Sequence, residues 1–219
     1  MSARESAEPL VAGAVEAAPS KTCQLALKRL LDVAVAATAL VVLAPLAAAI
    51  ALAILLTSGP PVFYSWRVVG RGGRPFTGYK FRTMVRDADR LKPALGASNE
   101  MNGPVFKMRA DPRVTPLGRL LRRFSLDEIP QLWSVLKGDM SLVGPRPVFP
   151  GEWAQFEPWQ RRKLSVTPGC MCLWHARGKP HDFQQWIRMD LEYVDTFSLW
   201  LDLKILLRTA AFILSGRNC

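Results

Sequence analysis

Cysteine is scarce: the 219 residues hold four, at Cys23, Cys170, Cys172 and Cys219. That excludes a disulfide framework, which a chain of this length with a hydrophobic core does not need, and it favours a cytosol-facing protein. Acidic residues are also few, with 18 Asp and Glu against 29 Lys and Arg, for a net charge of +11. Such an excess calls for an anionic partner: nucleic acid, acidic lipid or a phosphorylated substrate. Composition does not choose among them. The length leaves room for one domain of modest core, so a membrane segment would leave no space for a second catalytic unit.

Charge is absent altogether from Val33 to Leu56. At about 1.5 Å per residue this run gives a helix of roughly 36 Å, enough for a hydrocarbon core of about 30 Å. Before it, residues 1–22 are rich in Ala, Glu, Ser and Pro without periodicity and are expected to form a disordered leader. A signal peptide is disfavoured, because the apolar run starts late and lacks a cleavage context. Lys28 and Arg29 precede the run, and Arg67, Arg71, Arg74, Lys80 and Arg82 follow it, so the positive-inside tendency pulls both flanks to the cytoplasm. Pro45 in the middle removes a helix hydrogen bond and clashes with the preceding turn. The expectation is a re-entrant hairpin kinked at Pro45; the alternative is a proline-tolerant spanning helix.

After Gly59-Pro60-Pro61, Val62 to Val69 reads as a strand, turned by Gly70 to Gly73 into a second from Phe76 to Thr83. Alternation would point Lys80 and Arg82 to one face, either towards a ligand or as a solvated basic face beside the membrane. Arg86 to Leu95 reads as a short amphipathic helix, and Gly96 to Pro116 as a long loop. Leu117, Leu120, Leu121 and Phe124 follow a helical stripe that leaves Arg119, Arg122 and Arg123 on the other face.

Ser125-Leu126-Asp127-Glu128 then matches a capping box, a purely structural explanation for the acids. Pro130 weakens it, since a proline is cheaper at the first position of a helix running to Lys137 and stopped by Gly138. Asp127 and Glu128 would then precede a helix start, where ionised carboxylates are favoured. Such a pair suits phosphoryl chemistry in two ways. Either both acids hold Mg²⁺ and water attacks, or one binds the metal and the other attacks phosphorus.

Six segments, in order, resemble the bacterial sugar transferase family of monotopic phosphoglycosyl transferases: Lys80 to Met84, Gly103 to Lys107, Asp111 to Arg119, Ser125 to Leu132, Lys137 to Ser141, and Val143 to Pro147. The resemblance runs from about Lys28 to Leu214, and the single apolar segment is similar to the family's small members. It implies transfer of a sugar 1-phosphate from a nucleoside diphosphate sugar, usually a UDP-sugar, to polyprenol phosphate, normally undecaprenyl phosphate, with UMP released. It further implies that Asp127 is the nucleophile forming a covalent phosphosugar intermediate and that Glu128 helps hold Mg²⁺. Lys80, Arg82, Arg122 and Arg146 would offset the charge of two anionic substrates, with Arg146 pre-aimed between Pro145 and Pro147. Membrane lipids, and downstream glycosyltransferases taking up the product, would be the other partners; no nucleic acid is expected. The competing class, a membrane-tethered basic module binding nucleic acid or anionic lipid without chemistry, accounts for the charge but not for the spacing of the acids.

Gly151 to Leu164, with Trp153, Phe156 and Trp159, is consistent with an interfacial amphipathic helix and equally with core packing. The segment from Gly169 to Lys179 resembles a family stretch but carries His175 where Gln is usual and Lys179 where Arg is usual. Cys170, Cys172, His175 and His181 lack common zinc spacing and read as packing residues. Asp190 matches another family element, as support for the metal or for a basic neighbour. Leu199 to Leu214 is too charged to span and fits a buried or interfacial helix. The expected fold is α+β and mostly helical: a leader (1–22), a membrane-anchoring helix hairpin (23–58) and a cytosolic catalytic domain (59–219) with a small β-hairpin and interfacial helices.

Overall fold

The computed structural model describes residues 22–178 and 182–214, so the leader and the positions of Lys179, His181 and Cys219 lie outside the described residues. The chain is mostly helical with two small sheets. Its first element, α1 (Thr22–Ser58), continues through Pro45 and is long and apolar enough to cross a membrane. Its middle exposes Val41 and Val42. Both of its ends are built into the remainder of the protein. Near the start, Lys28 pairs with Asp202 at 2.5 Å, and Asp32 accepts from the Ser141 hydroxyl at 2.7 Å and the Leu142 amide at 3.1 Å. Near the finish, Ile50 and Ile54 pack with Phe81, Leu121 and Ile129.

The hairpin forms as its turn residues require. Strands β1 (Phe63–Val69) and β2 (Pro75–Phe81) pair antiparallel with Lys80 opposite Tyr64, around a tight turn at Arg71–Gly73. β2 stops at Phe81, one residue short of Arg82, so the predicted alternation of Lys80 and Arg82 along one strand face does not hold. The helix expected from Arg86 to Leu95 shrinks to α2 (Ala88–Leu91), because Pro93 opens a 3₁₀ turn over Pro93–Ser98. The long loop follows as expected, and Asn99 braces it by accepting from the amides of Met101 and Lys107.

Helix α3 (Pro116–Arg123) starts under a Thr115 cap, whose hydroxyl accepts from the Gly118 amide at 2.9 Å. Leu121 is buried but Leu120 is 52% exposed, so the apolar stripe is only partly used inwardly. A 3₁₀ turn (Leu126–Glu128) leads to α4 (Gln131–Lys137), which ends at Gly138 with φ of 90°. There the Arg29 guanidinium donates to the carbonyls of Val135 and Leu136 at 2.6 and 2.7 Å, satisfying helix-end acceptors.

The parallel strands β3 (Ser141–Val143) and β4 (Gly169–Met171) meet tightly: a Cβ on Gly169 would lie 2.0 Å from the Gly144 nitrogen. Between them the predicted single amphipathic helix over Gly151–Leu164 is broken. It becomes α5 (Pro150–Trp153), α6 (Pro158–Arg161) and a turn at Arg162–Ser165. Pro158 starts a new helix rather than continuing the old one, and Trp153 and Phe156 enter the core with only Trp159 exposed. Helices α7 (Leu173–Arg177), α8 (Phe183–Thr196) and α9 (Leu199–Leu214) complete the fold. In α9, buried Asp202 accepts from the Tyr193 hydroxyl at 2.7 Å as well as pairing with Lys28, which explains a charge in an apolar helix.

Gly118 sets the approach of α3 to the residues after β2: a Cβ there would fall 2.0 Å from the Thr83 carbonyl oxygen. Gly118→Ala is expected to cost roughly 1–3 kcal/mol through overpacking. Thermal unfolding in detergent should show a lowered midpoint; an unchanged midpoint would mean that the two segments can separate freely.

Candidate active site

The acidic pair owes its placement to a backbone reversal. Ser125 adopts φ of 52°, in the left-handed region, and its side chain does not cap the turn that follows, so the capping-box explanation fails. The reversal ends α3 and turns Asp127 inward, to 7% exposure. Pro130, expected from sequence as the first helical residue, sits at the cap position, and α4 starts one residue later at Gln131.

Asp127 and Glu128 line a cavity of about 530 Å³ together with Lys80, Arg122, Arg146 and His175. Lys80 Nζ donates to Glu128 Oε1 at 2.6 Å and stands 5.4 Å from the centre of the Trp66 ring. Arg122 Nε donates to the Thr83 hydroxyl at 2.9 Å, which holds the guanidinium beside the acids. Burial raises the Asp127 carboxyl above its ordinary range, with the Glu128 charge adding to the effect and Lys80 and Arg122 opposing it. Burial acts on Glu128 in the same sense, but Lys80, with His175 and Arg146 behind it, outweighs this and holds the Glu128 carboxyl below its ordinary range. The two adjacent acids are thus pushed apart in acidity, Glu128 being fixed as a carboxylate by a direct ion pair.

Arg146 is held from behind. Its guanidinium lies 4.7 Å from the centre of the Trp186 ring, and its amide donates to Asp190 Oδ1 at 3.4 Å. Asp190 itself is 1% exposed and paired with buried Lys163. Its contacts are with Arg146 and Lys163, and it is not among the residues that line the cavity. Of the flanking prolines, Pro147 lines the cavity, while the Pro145 carbonyl accepts from the Gly169 amide at 2.9 Å and serves the sheet.

Arg82 is the larger correction. It borders the cavity, but its guanidinium turns to the end of α1, where Nη2 donates to the Ser58 carbonyl at 2.9 Å and to the Gly59 carbonyl. It caps a helix rather than joining Lys80. Pro45 is exposed in the middle of α1 and takes no part in this cavity.

Sequence reading gave no site role to three residues here. Thr83 orients Arg122, Gln131 is 4% exposed on the cavity wall, and His175 faces the acids. His175 Nδ1 accepts from the Cys172 amide at 3.0 Å, and its ring stacks on Trp174 at 3.9 Å. Its departure from the family residue was the available signal. Among the described residues no three His, Cys, Asp or Glu side chains form a metal cluster, and burial pushes the Cys170 and Cys172 thiols far above their ordinary range, away from the thiolate that zinc binds.

The sequence matches the model of a family described as bacterial sugar transferase over residues 23–216. It is 40% identical over 198 residues to the galactosyl transferase CpsE of Streptococcus agalactiae, covering 90% of this chain and 44% of that protein. It is 39% identical over 202 residues to the UDP-glucose:undecaprenyl-phosphate glucose-1-phosphate transferase of Caulobacter vibrioides, covering 87% of this chain and 71% of that one. With the exopolysaccharide production protein ExoY of Sinorhizobium fredii it shares 35% identity over 196 residues and 87% of both lengths. The chain therefore spans less than half of the Streptococcus protein but most of ExoY.

Lys80 makes both carboxyls more acidic, so its removal has a defined sign. In Lys80→Met the Asp127 and Glu128 carboxyls should both titrate at higher pH, followed by ¹³C carboxyl shifts against pH. Unmoved titrations would mean that the Lys80 charge is not felt by the pair.

Proposed function

The chain belongs to the bacterial sugar transferase family, and from that premise we propose that it moves a sugar 1-phosphate from a nucleoside diphosphate sugar to polyprenol phosphate. UDP-sugars are the donors and undecaprenyl phosphate the acceptor in this reading, as in the name of the Caulobacter relative. The observation that carries it is the buried Asp127, set beside Glu128 among Lys80, Arg122 and Arg146 in one cavity.

Asp127 attacks the phosphorus that bears the sugar. A bond forms from its carboxylate oxygen to that phosphorus as the bond to the bridging oxygen breaks, and UMP leaves with the bonding pair. A phosphate oxygen of the acceptor then attacks the same phosphorus and returns Asp127 to its carboxylate form. Lys80, Arg122 and Arg146 are fixed cations aimed at charge that develops in both transfers, in a site where burial strengthens their effect. The donor set suits Mg²⁺: two hard carboxylates are present, and further oxygens would come from substrate phosphates, the usual arrangement for that ion. Glu128, with Asp127 beside it, would hold the metal, which supplies charge neutralisation for the diphosphate.

The long apolar helix α1 supports a reading in which this chemistry takes place at a membrane. Near its start α1 joins the core cluster that holds Val135, and near its finish the cluster that holds Ile129, two residues only six apart in sequence. This supports a helix bent near Pro45 that returns to the face it entered, with the catalytic body on the cytoplasmic side of the bacterial inner membrane. Cations at both ends of α1 favour the same orientation. The lipid-linked sugar would pass to glycosyltransferases that extend a glycan or exopolysaccharide. A non-catalytic basic module explains neither the paired acids nor the family membership.

The membrane-embedded chain, given UDP-sugars, undecaprenyl phosphate and Mg²⁺, should release UMP with at least one donor; silence across a broad donor set from folded protein would overturn the reading. Asp127→Asn should lower turnover by at least about 10³-fold and abolish a phosphosugar adduct seen by mass spectrometry. Chelation should remove activity and Mg²⁺ should restore it; activity indifferent to chelator would exclude the metal role.

A further inference from the structure

The cavity does not end at the acids. The bridge between Val69 and Val148 fixes the Pro-Arg-Pro segment at one end of the hairpin. Phe63 begins β1 at the other end, about 20 Å along the strand, directly after the turn that leaves α1. At that end the cavity is bordered by Pro61, Phe63, Tyr64 and Val85. Phe63 is 50% exposed, and Tyr64 and Val85 are exposed as well. Apolar exposure at the mouth of a site built for charged phosphates is uneconomic for a water-soluble ligand. It is also continuous along the chain with Leu55 and Leu56, the exposed apolar end of α1.

Charge at this mouth fits an anion. Arg86 is exposed and borders the cavity. Beside it Arg82 is 8% exposed, and after capping α1 its Nε and Nη1 atoms have no hydrogen-bond partner. Burial depresses the ionisation of Arg82, and the neighbouring Arg86 charge depresses it further. Among the described residues no carboxylate forms an ion pair with either arginine; Asp89, on the same wall, is the nearest acid by sequence that lines the cavity. Two like charges side by side are stabilised by an anion that meets the outer one.

We infer that this mouth is the acceptor's subsite: the isoprenoid chain runs from the bilayer over Pro61, Phe63, Tyr64 and Val85, and Arg86 meets its phosphate. The nucleotide sugar then takes the Arg146 and His175 end, and Asp127 lies where the two can reach it in turn. The assignment rests on the proposed transfer reaction but adds to it a direction of approach. It also gives the Arg82 cap a role as a positioning residue, since Arg82 ties the end of the membrane helix to the residues that follow Lys80.

The test uses the full chain in lipid nanodiscs. Val85→Glu and Phe63→Ser should raise KM for undecaprenyl phosphate about tenfold while KM for the UDP-sugar stays within about twofold. Equal rises in both, or no rise in either, would overturn the assignment. A second measurement needs no turnover and no variant: photo-crosslinking with a diazirine-bearing polyprenyl phosphate, competed by undecaprenyl phosphate. Adducts at residues 61–64 and 84–86 support the subsite, whereas adducts confined to the exposed Trp200, Leu203 and Leu207 of α9 overturn it. If crosslinks map to the mouth while no donor yields UMP, the transfer reaction fails and the lipid subsite stands.

Discussion

The ion pair between Lys80 and Glu128 joins two parts of the chain, 48 residues apart, at the cavity. Lys80 comes from a two-stranded hairpin, and Glu128 from a single 3₁₀ turn. Neither element is stable alone, since a lone hairpin and a three-residue turn bury too little. Their meeting requires α3 to lie against Thr83, which the bare Gly118 permits, and requires the chain to reverse at Ser125. The charge pair also sets the two acids apart in acidity. Glu128 is held in ionised form, while burial keeps the Asp127 carboxyl more basic than usual.

The long apolar helix α1 and the remainder of the described residues are not separable layers. Arg29 closes α4, Lys28 neutralises an acid of α9, and Arg82 closes α1 in return. Each is a cation on a helix end or a buried carboxylate, so the basic excess is spent in part on internal structure before any ligand arrives. A composition of +11 therefore overstates the charge offered to substrates. Two of the arginines that face the cavity are braced from behind: Arg122 by Thr83, and Arg146 by Trp186 and, through its backbone, by Asp190.

Much of the site was legible because its signals are local. Asp127 and Glu128 are adjacent, Pro130 and Gly138 punctuate α4, and the glycines of residues 70–73 turn a hairpin at short range. What failed were inferences that carried a local periodicity past its stopping point. Alternation put Arg82 beside Lys80, but β2 had ended; helical spacing joined Trp153 to Trp159, but Pro158 restarts the helix. His175 reads in sequence as a packing residue and a departure from the family pattern, because its proximity to Glu128 depends on β4 lying against β3.

The sequence by itself determined that an apolar helix precedes a basic domain, that paired acids lie before a short helix, and that the chain has the family's motifs in order. Those are properties of neighbours along the chain, fixed by hydropathy, turn chemistry and spacing. Tertiary structure alone decided which cations meet the acids and which serve as caps, and that Asp190 stands behind Arg146 rather than in the cavity. The reason is physical: a charged side chain takes whichever carbonyl, carboxylate or ring packing brings within reach, and that contact is made across residues 44 apart for Asp190 and 48 apart for Glu128.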